Sequence, residues 1–151
     1  MIHITRRAHF SAAHRLFNPT FSPERNRAVF DKCNNPNGHG HNYDLEVTVR
    51  GIPDPLTGYV MDLKELSRVI DREIIDRVDH CHLNYDVEPL RGVIPTAENL
   101  AVLFWDILHP HITGGVLHCI RLYESANNYV EYFGDPIEIP RYDHVEKEGA
   151  L

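Results

Sequence analysis

Residues 39–51 read HGHNYDLEVTVRG. Along almost the whole stretch, histidine or apolar side chains alternate with polar ones. Successive side chains of a strand point to opposite faces. One face therefore receives His39, His41, Tyr43, Leu45, Val47 and Val49. The other receives Asn42, Asp44, Glu46, Thr48 and Arg50. This alternation is typical of a strand in an antiparallel sheet with one buried and one solvated face.

A second alternating stretch precedes it, and helical patterns follow it. Residues 2–14 place Ile2, Ile4, Ala8, Phe10, Ala12 and His14 on one face of a strand. A helix is predicted from Asp62, an N-cap residue type with Glu65 three residues later, and its apolar residues recur at helical spacing up to Val78. A second helix is predicted to begin at Thr96 and to end before Pro110.

Two further strands, roughly 116–124 and 129–133, are predicted to close the domain. The order is then β-β-α-α-β-β. Runs of strands and helices, rather than strict alternation, predict an α+β fold with a four-stranded antiparallel sheet and two helices on one face.

Length and composition limit the class of protein. A chain of 151 residues fits one domain, which we place at residues 1–134, followed by a polar C-terminal extension at 135–151. The net charge of −7 argues against non-specific nucleic-acid binding. No apolar run approaches the ~20 residues that span a bilayer, and the first residues do not resemble a secretory signal. We therefore expect a cytoplasmic protein with no membrane partner.

Three histidines have the spacing of metal ligands. His39 and His41 point to the same face of one strand, and His14 ends the inward-facing register of the other. Antiparallel pairing of these strands would bring the three imidazoles together. Three nitrogen ligands with an open fourth position are typical of catalytic zinc, although iron(II) or another divalent ion fits the same set. The alternative is a polar turn that leads into the strand.

Cys33 lies in a long connection, residues 15–38, that has no periodicity of its own. Connections of this length in a compact domain are usually functional or disordered. Cys33 could be a fourth metal ligand, a buried small side chain or a nucleophile or base, and a nearby zinc ion would favour its thiolate. We assign Cys81 and Cys119 to packing. Six other histidines show no convergence and are interpreted as structural or solvated: His3, His9, His109, His111, His118 and His144.

Residues 32–43, KCNNPNGHGHNY, resemble the signature of the 6-pyruvoyl-tetrahydropterin synthase family. Other segments are similar to that family in the same order along the chain. They are SAAHRL at 11–16, Asp79-His80 with Leu83-Asn84, PTAEN at 95–99, and Tyr123-Glu124. The resemblance therefore extends from Phe10 to about Gly134.

The resemblance implies a tunnelling fold (T-fold), in which three subunits close a barrel and two rings stack into a homohexamer, a dimer of trimers. It implies a lyase that converts 7,8-dihydroneopterin triphosphate to 6-pyruvoyl-tetrahydropterin and releases triphosphate, as in tetrahydrobiopterin biosynthesis. The Zn²⁺ ligands it implies are His14, His39 and His41. The proton-transfer residues it implies are Cys33, Asp79 and His80, and the pterin-binding residues are Glu124, Thr96 and Glu98.

Two alternatives stay open. The 6-carboxytetrahydropterin synthases of queuosine biosynthesis use the same substrate but commonly have a shorter spacing between the cysteine and HGH. Five residues, Asn34–Gly38, separate Cys33 from His39 here, which favours the pyruvoyl product. The second alternative is a non-catalytic pterin- or metal-binding protein. The sequence departs from the family pattern at Ala97, where a second threonine is usual, and at His82, where asparagine is more typical.

Overall fold

The computed structural model describes residues 1–143, and within that range five strands form one sheet in the order β3-β1-β2-β4-β5. The strands are β1 (Ile2–His14), β2 (His39–Gly51), β3 (Cys81–His82), β4 (Val116–Tyr123) and β5 (Tyr129–Tyr132). β1 and β2 pair antiparallel along their whole length, from Ile2 opposite Gly51 to His14 opposite His39. β2 with β4 and β4 with β5 are also antiparallel. The predicted α+β class is confirmed.

The helices are α1 (Pro23–Phe30), α2 (Leu63–Ile70), α3 (Asp76–Val78) and α4 (Ala97–Leu108). A π-helical turn, Asp71–Ile75, joins α2 to α3 into one continuous helical segment. α2 packs on β1, and α4 packs on β4 and β5. The buried side chains of the sheet and of these helices form one apolar core, which includes Phe10, Tyr43, Leu45, Leu66, Ile70, Phe104 and Leu122.

Side chains cap both predicted helix starts. The Asp62 carboxylate accepts a hydrogen bond from the Lys64 backbone N–H at 2.8 Å, and the Thr96 hydroxyl accepts one from the Asn99 N–H at 3.3 Å. Each cap satisfies one of the free N–H groups at the start of a helix. Glu65 does not complete a capping box, because its carboxylate pairs with Arg68 at 2.9 Å.

Two elements differ from the predicted four strands and two helices. α1 lies inside the long connection and was not predicted, because its buried residue is the polar Asn26, so it has no apolar stripe. The Asn26 side chain instead accepts from the Asn18 N–H and donates to the Asn18 carbonyl. β3 is a two-residue strand that runs parallel to β1 beside Ala12 and Ala13 and makes the sheet mixed and five-stranded. A strand of two residues is too short to show an alternating pattern in the sequence.

The C-terminal segment up to residue 143 lies against the rest of the chain. The Tyr142 N–H donates to the Gly92 carbonyl at 2.8 Å, and the Asn18 side-chain amide donates to the Tyr142 hydroxyl at 3.1 Å. The second half of the predicted extension, residues 144–151 with His144, lies outside the described residues. Among residues 1–143, no helix is long and apolar enough to cross a membrane.

Candidate metal centre and active site

The three predicted metal ligands meet at one end of the buried face of the sheet. The register that sets His14 opposite His39 also sets Ala12 opposite His41, so all three imidazoles point to the same side. The Nε2 atoms of His14 and His39 are 3.1 Å apart, and one ring nitrogen from each of the three histidines lies within 4.8 Å of the others. Zn–N bonds of about 2.0–2.1 Å in a tetrahedral site imply nitrogen separations of about 3.3–3.4 Å. The three residues are therefore positioned to bind a metal ion.

Burial favours the neutral, metal-binding form of His14 and His41. The Nδ1–H of His14 donates to the Pro95 carbonyl at 2.9 Å, which leaves the Nε2 lone pair free for a metal. The pKa of His14 is lowered to about 4, mainly by burial and to a smaller extent by the neighbouring His39 and His41. Burial also lowers the pKa of His41. Neutral imidazoles bind metals, whereas protonated ones do not.

Two buried ring nitrogens that lack hydrogen-bond partners support a bound metal ion at this place. Nδ1 of His39 and Nε2 of His41 are buried and have no hydrogen-bond partner within residues 1–143. A buried polar atom without a partner costs free energy, and a metal ion at the centre of the cluster would relieve part of that cost. The donor set and its unsatisfied atoms therefore fit a bound divalent metal.

The glycine before His39 is required by the local backbone. Gly38 has φ +71°, a conformation that residues with a side chain rarely adopt. A Cβ at this position would lie 2.9 Å from Nε2 of His82 and 3.0 Å from the carbonyl oxygen of His14. Gly38 thus allows the start of β2 to approach the end of β1 closely enough for the histidines to meet.

Cys33 lies in a 3₁₀ turn, Asp31–Asn34, that is hydrogen-bonded to the chain just after His14. The Leu16 N–H donates to the Cys33 carbonyl at 2.8 Å. Burial raises the pKa of the Cys33 thiol, and the negative charges of Glu124 and Asp31 raise it further. These groups of the chain oppose the thiolate, and a nearby positive charge such as a metal ion would favour it.

Glu124 follows the end of β4 and faces the histidine cluster. Its Oε1 lies 3.7 Å from Nε2 of His41. After burial, the charge of Glu124 contributes most to raising the pKa of the buried Tyr43 hydroxyl, which itself lies 3.4 Å from Nδ1 of His14. A half-buried carboxylate and a thiol thus lie near the three imidazoles in the same chain.

Thr96 and Glu98 lie at the start of α4, beside Pro95. Pro95 contacts His14, so the N-terminus of α4 is next to the cluster. The Thr96 oxygen accepts the capping hydrogen bond, which leaves its hydroxyl hydrogen free to donate. Glu98 is exposed in the first helical turn, and within the described chain no contact joins it to the histidines.

Asp79 and His80 form a pair beside β1, just before the edge strand β3. The Asp79 carboxylate accepts from the Ser11 N–H at 2.9 Å and lies 3.0 Å from Nδ1 of His80. The hydrogen bond from Ser11 lowers the pKa of Asp79, and His80 lowers it further. His80 has φ +60°, and 83% of its side-chain surface is exposed. Within residues 1–143, neither residue of the pair contacts Cys33.

Three residues beside the cluster were not identified as site residues from the sequence. They are Tyr43 and Pro95, which contact His14, and Asn84, whose side chain pairs with the backbone of Arg15. Tyr43 continues the inward register of His39 and His41, so the alternation of β2 could have indicated it. The contacts of Pro95 and Asn84 bridge 81 and 69 residues of sequence, and no local pattern carries that information.

Comparisons with known proteins identify the family of the chain. The sequence model of the family described as 6-pyruvoyl tetrahydropterin synthase matches residues 3–135. The 6-pyruvoyl tetrahydrobiopterin synthase of Homo sapiens is 46% identical over 132 residues, which cover 87% of this chain and 91% of that protein. The Drosophila melanogaster protein of the same name is 43% identical over 132 residues, covering 87% and 79%.

The fold is similar as well. The solved structure of Caenorhabditis elegans 6-pyruvoyl tetrahydropterin synthase superimposes with a TM-score of 0.84 at 38% identity, covering 89% of this chain and 96% of that one. The T-fold that the sequence motifs implied is thereby confirmed for the single chain. From the match over most of its length and the shared fold, the chain belongs to the 6-pyruvoyl tetrahydropterin synthase family of enzymes.

Proposed function

We propose that this chain catalyses the zinc-dependent conversion of 7,8-dihydroneopterin triphosphate to 6-pyruvoyl-tetrahydropterin, with elimination of triphosphate. The observation that carries the proposal is the cluster of His14, His39 and His41 with Glu124 and Cys33 beside it. A simple metal-binding protein needs the imidazoles alone. The thiol and the carboxylate suit a site that also moves protons and holds a substrate with N–H donors.

His14, His39 and His41 would hold the zinc ion and leave its fourth position for the substrate. A zinc ion in that position supplies Lewis acidity, which orients the side-chain hydroxyls of the substrate and acidifies the adjacent C–H bond. The low pKa of His14 supports this role, because the ring stays neutral over the whole physiological range.

Glu124 is proposed to bind the pterin ring. Its carboxylate can accept two parallel hydrogen bonds, which the amino group and a ring N–H of a pterin can donate. Hydrogen bonds from the substrate to Glu124 would also reduce the effect of its negative charge on Cys33. They would thus favour ionisation of the thiol. Thr96 can donate its free hydroxyl hydrogen to the same ring, and Glu98 is the third proposed pterin-binding residue.

Cys33 is proposed as the base that removes the proton from the hydroxyl-bearing carbon next to the ring. Asp79 would orient His80 through the contact between its carboxylate and Nδ1, and His80 would pass protons to and from the reacting groups. In the chain described here this pair is separate from Cys33. We therefore propose that His80 serves the site of a neighbouring subunit in a homohexamer made of two trimers.

The 6-carboxytetrahydropterin synthase reaction on the same substrate is the second candidate. The spacing of five residues between Cys33 and His39 and the names of the relatives at 46% and 43% identity support the pyruvoyl product. We also propose a cytoplasmic enzyme whose catalytic domain is residues 1–134, followed by an extension from residue 135.

The test is incubation of the zinc-loaded protein with 7,8-dihydroneopterin triphosphate, followed by mass analysis of the products. Release of triphosphate with a product that keeps all side-chain carbons supports the proposal. Release of acetaldehyde would identify the carboxy-forming reaction instead. Intact substrate after long incubation, with zinc bound, would contradict both enzymes and favour a binding protein.

A further inference from the structure

A cleft opens within the long connection, between the segment that directly follows His14 and the 3₁₀ turn that carries Cys33. Its volume is about 640 Å³, within the usual range of about 300–1,000 Å³ for small-molecule sites. We call it the loop cleft and define it by the side chains that matter here, Arg15, Phe17, Arg27, Asp31 and Lys32. Neither the histidine cluster nor Glu124 lines it.

The charge of the loop cleft is opposite to that of the whole chain. Three cationic side chains, Arg15, Arg27 and Lys32, line it together with one carboxylate, Asp31. The chain as a whole has a net charge of −7. Such a local excess of positive charge would attract a polyanion and disfavour a neutral or cationic ligand.

These cations are not committed to strong ion pairs. Arg27 lies 3.6 Å from Glu24 on the exposed face of α1, a type of pair that contributes little. Within residues 1–143, Lys32 has no carboxylate at ion-pair distance. Arg15 uses Nε and Nη2 on the carbonyl and side chain of Asn34, at 3.0 and 3.4 Å, and this holds its guanidinium at the wall of the cleft.

The loop cleft is joined to the active site by the backbone. Arg15 directly follows the metal ligand His14, and Lys32 directly precedes Cys33. The hydrogen bond from Leu16 to the Cys33 carbonyl holds these two segments side by side. In a substrate held at the metal and at Cys33, the remaining end is the part that would extend toward these cations.

From this arrangement we propose that the loop cleft binds the triphosphate group of the substrate through Arg27, Lys32 and Arg15, of which Arg15 is held in place by Asn34. The inference rests on the proposed function, because that function supplies a triphosphate ester as the ligand. Arginine and lysine are the side chains that bind phosphate oxygens most strongly, and arginine can do so with two parallel hydrogen bonds. The otherwise unexplained α1 would then serve to present Arg27.

The test compares Arg27→Gln/Lys32→Gln with the wild type and with Lys64→Gln, an exposed lysine at the start of α2 that serves as the matched control. Arg15 is left unchanged, because its guanidinium also holds Asn34 next to Cys33. We expect the double variant to raise the KM for 7,8-dihydroneopterin triphosphate by roughly tenfold or more, with kcat changed by less than about threefold. Lys64→Gln should keep both values.

Binding of two simple probes separates the phosphate contacts from the pterin contacts. The double variant should bind inorganic triphosphate roughly tenfold more weakly than the wild type, and should bind unphosphorylated 7,8-dihydroneopterin equally well. Zinc content is measured after each titration, because inorganic triphosphate can also remove the metal. Equal affinity of the wild type and the double variant for inorganic triphosphate, or an unchanged KM, would overturn the inference.

An error in the proposed function would give a different result from an error in the assignment of the loop cleft. If the wild type does not turn over the substrate at all, the proposed reaction is wrong, and the titration with inorganic triphosphate still decides whether the loop cleft binds a polyphosphate. If the wild type turns over normally and the double variant behaves like Lys64→Gln, the reaction stands and the loop cleft is a solvated surface.

Discussion

At the residue scale, the metal site depends on which nitrogen of each imidazole carries its proton. The hydrogen bond from His14 to the Pro95 carbonyl fixes that proton on Nδ1, so Nε2 is presented to the centre of the cluster. Burial raises the pKa of the adjacent Tyr43 hydroxyl, which therefore stays neutral. The surroundings of His14 thus add no charge to the metal site, and Glu124 is the carboxylate that approaches it.

The first prediction concerns the metal. The wild type should bind about one zinc ion per chain, and His39→Ala/His41→Ala should lose it, because a single remaining imidazole cannot hold a structural or catalytic ion. His9→Ala is the matched control, since His9 lies on the solvated face of β1 and pairs with Asp44. Metal analysis after dialysis is the measurement. Full zinc occupancy in the double variant would refute the ligand assignment.

The second prediction concerns the thiol. Cys33→Ala should fold and keep its zinc but lose turnover by about 10²–10⁴-fold, the usual contribution of a general acid or base. Cys119→Ala provides the control, because Cys119 is buried in β4 and is assigned to packing. Activity and zinc content are measured on the same samples. Near-normal turnover of Cys33→Ala, or loss of zinc with the thiol, would rule out its role as a base.

At the scale of elements, the sequence predicted those parts whose periodicity is long. β1 and β2 have the predicted bounds because thirteen alternating residues leave little freedom in register. α2 and α4 begin at the predicted caps for a similar reason. α1 and β3 could not be predicted, because no apolar pattern marks them: hydrogen bonds between Asn26 and Asn18 hold α1, and backbone pairing with the distant β1 holds β3.

Asn84 also makes a contact between segments that are distant in the sequence. Its side chain accepts from the Arg15 N–H at 2.9 Å and donates to the Arg15 carbonyl at 2.8 Å, so it extends the β1–β3 pairing past His14. We predict that Asn84→Ala lowers the free energy of unfolding by about 1–3 kcal/mol, since two partly buried backbone groups lose their partner. It should also weaken zinc binding, because the backbone next to His14 is less restrained.

Urea unfolding and competition with a zinc chelator measure the two effects. Asn127→Ala is the control, because residue 127 is exposed in the turn between β4 and β5. Unfolding and zinc affinity that both match those of Asn127→Ala would show that Asn84 does not position the ligand.

Glu73, in the π-helical turn, gives the fourth prediction. Its carboxylate, which is 10% exposed, pairs with Arg72 at 2.7 Å and with Arg77 at 3.0 Å. The hydrogen bond from Arg72 lowers the pKa of Glu73 in the folded chain, and nearby His111 lowers it further. A carboxylate whose folded pKa is lowered adds stability above its ordinary pKa, and that stability is lost as the pH falls through the folded value.

Glu73→Gln should therefore lower the urea midpoint at pH 7, and the difference from the wild type should shrink as the pH falls below the ordinary range of a glutamate. Glu65→Gln, which removes the same charge from an exposed pair with Arg68, should have a small effect at both pH values. A difference between wild type and Glu73→Gln that is constant from pH 7 to acid conditions would contradict the ion-pair explanation.

At the scale of the whole molecule, the candidate site divides into two groups of residues. The histidines, Cys33 and Glu124 lie near one another, and the alternation of the strands was enough to predict the meeting of the histidines. Asp79 and His80 lie at the outer edge of β1, although the sequence motif suggested that they act with Cys33. Spacing along one chain carries no information about contacts between subunits, so the sequence pattern alone does not tell whether His80 acts within its own chain or, as we propose, in the site of a neighbouring subunit.

The fifth prediction tests whether two subunits share each site. If His80 of one chain serves Cys33 of its neighbour, a homo-oligomer that mixes Cys33→Ala chains with His80→Ala chains contains some sites with both native residues. Random mixing in equal amounts would restore about one quarter of the sites, since each residue is native in about half of the chains.

Mixing Cys33→Ala with Glu124→Ala is the matched control. Because those two residues lie together within one chain, no mixed site regains both, and no activity should return. The variants are unfolded and refolded together, and recovered turnover is compared with that of each variant refolded alone. Light scattering that shows a fully active monomer, or equal recovery in both mixtures, would end the proposal of a shared site.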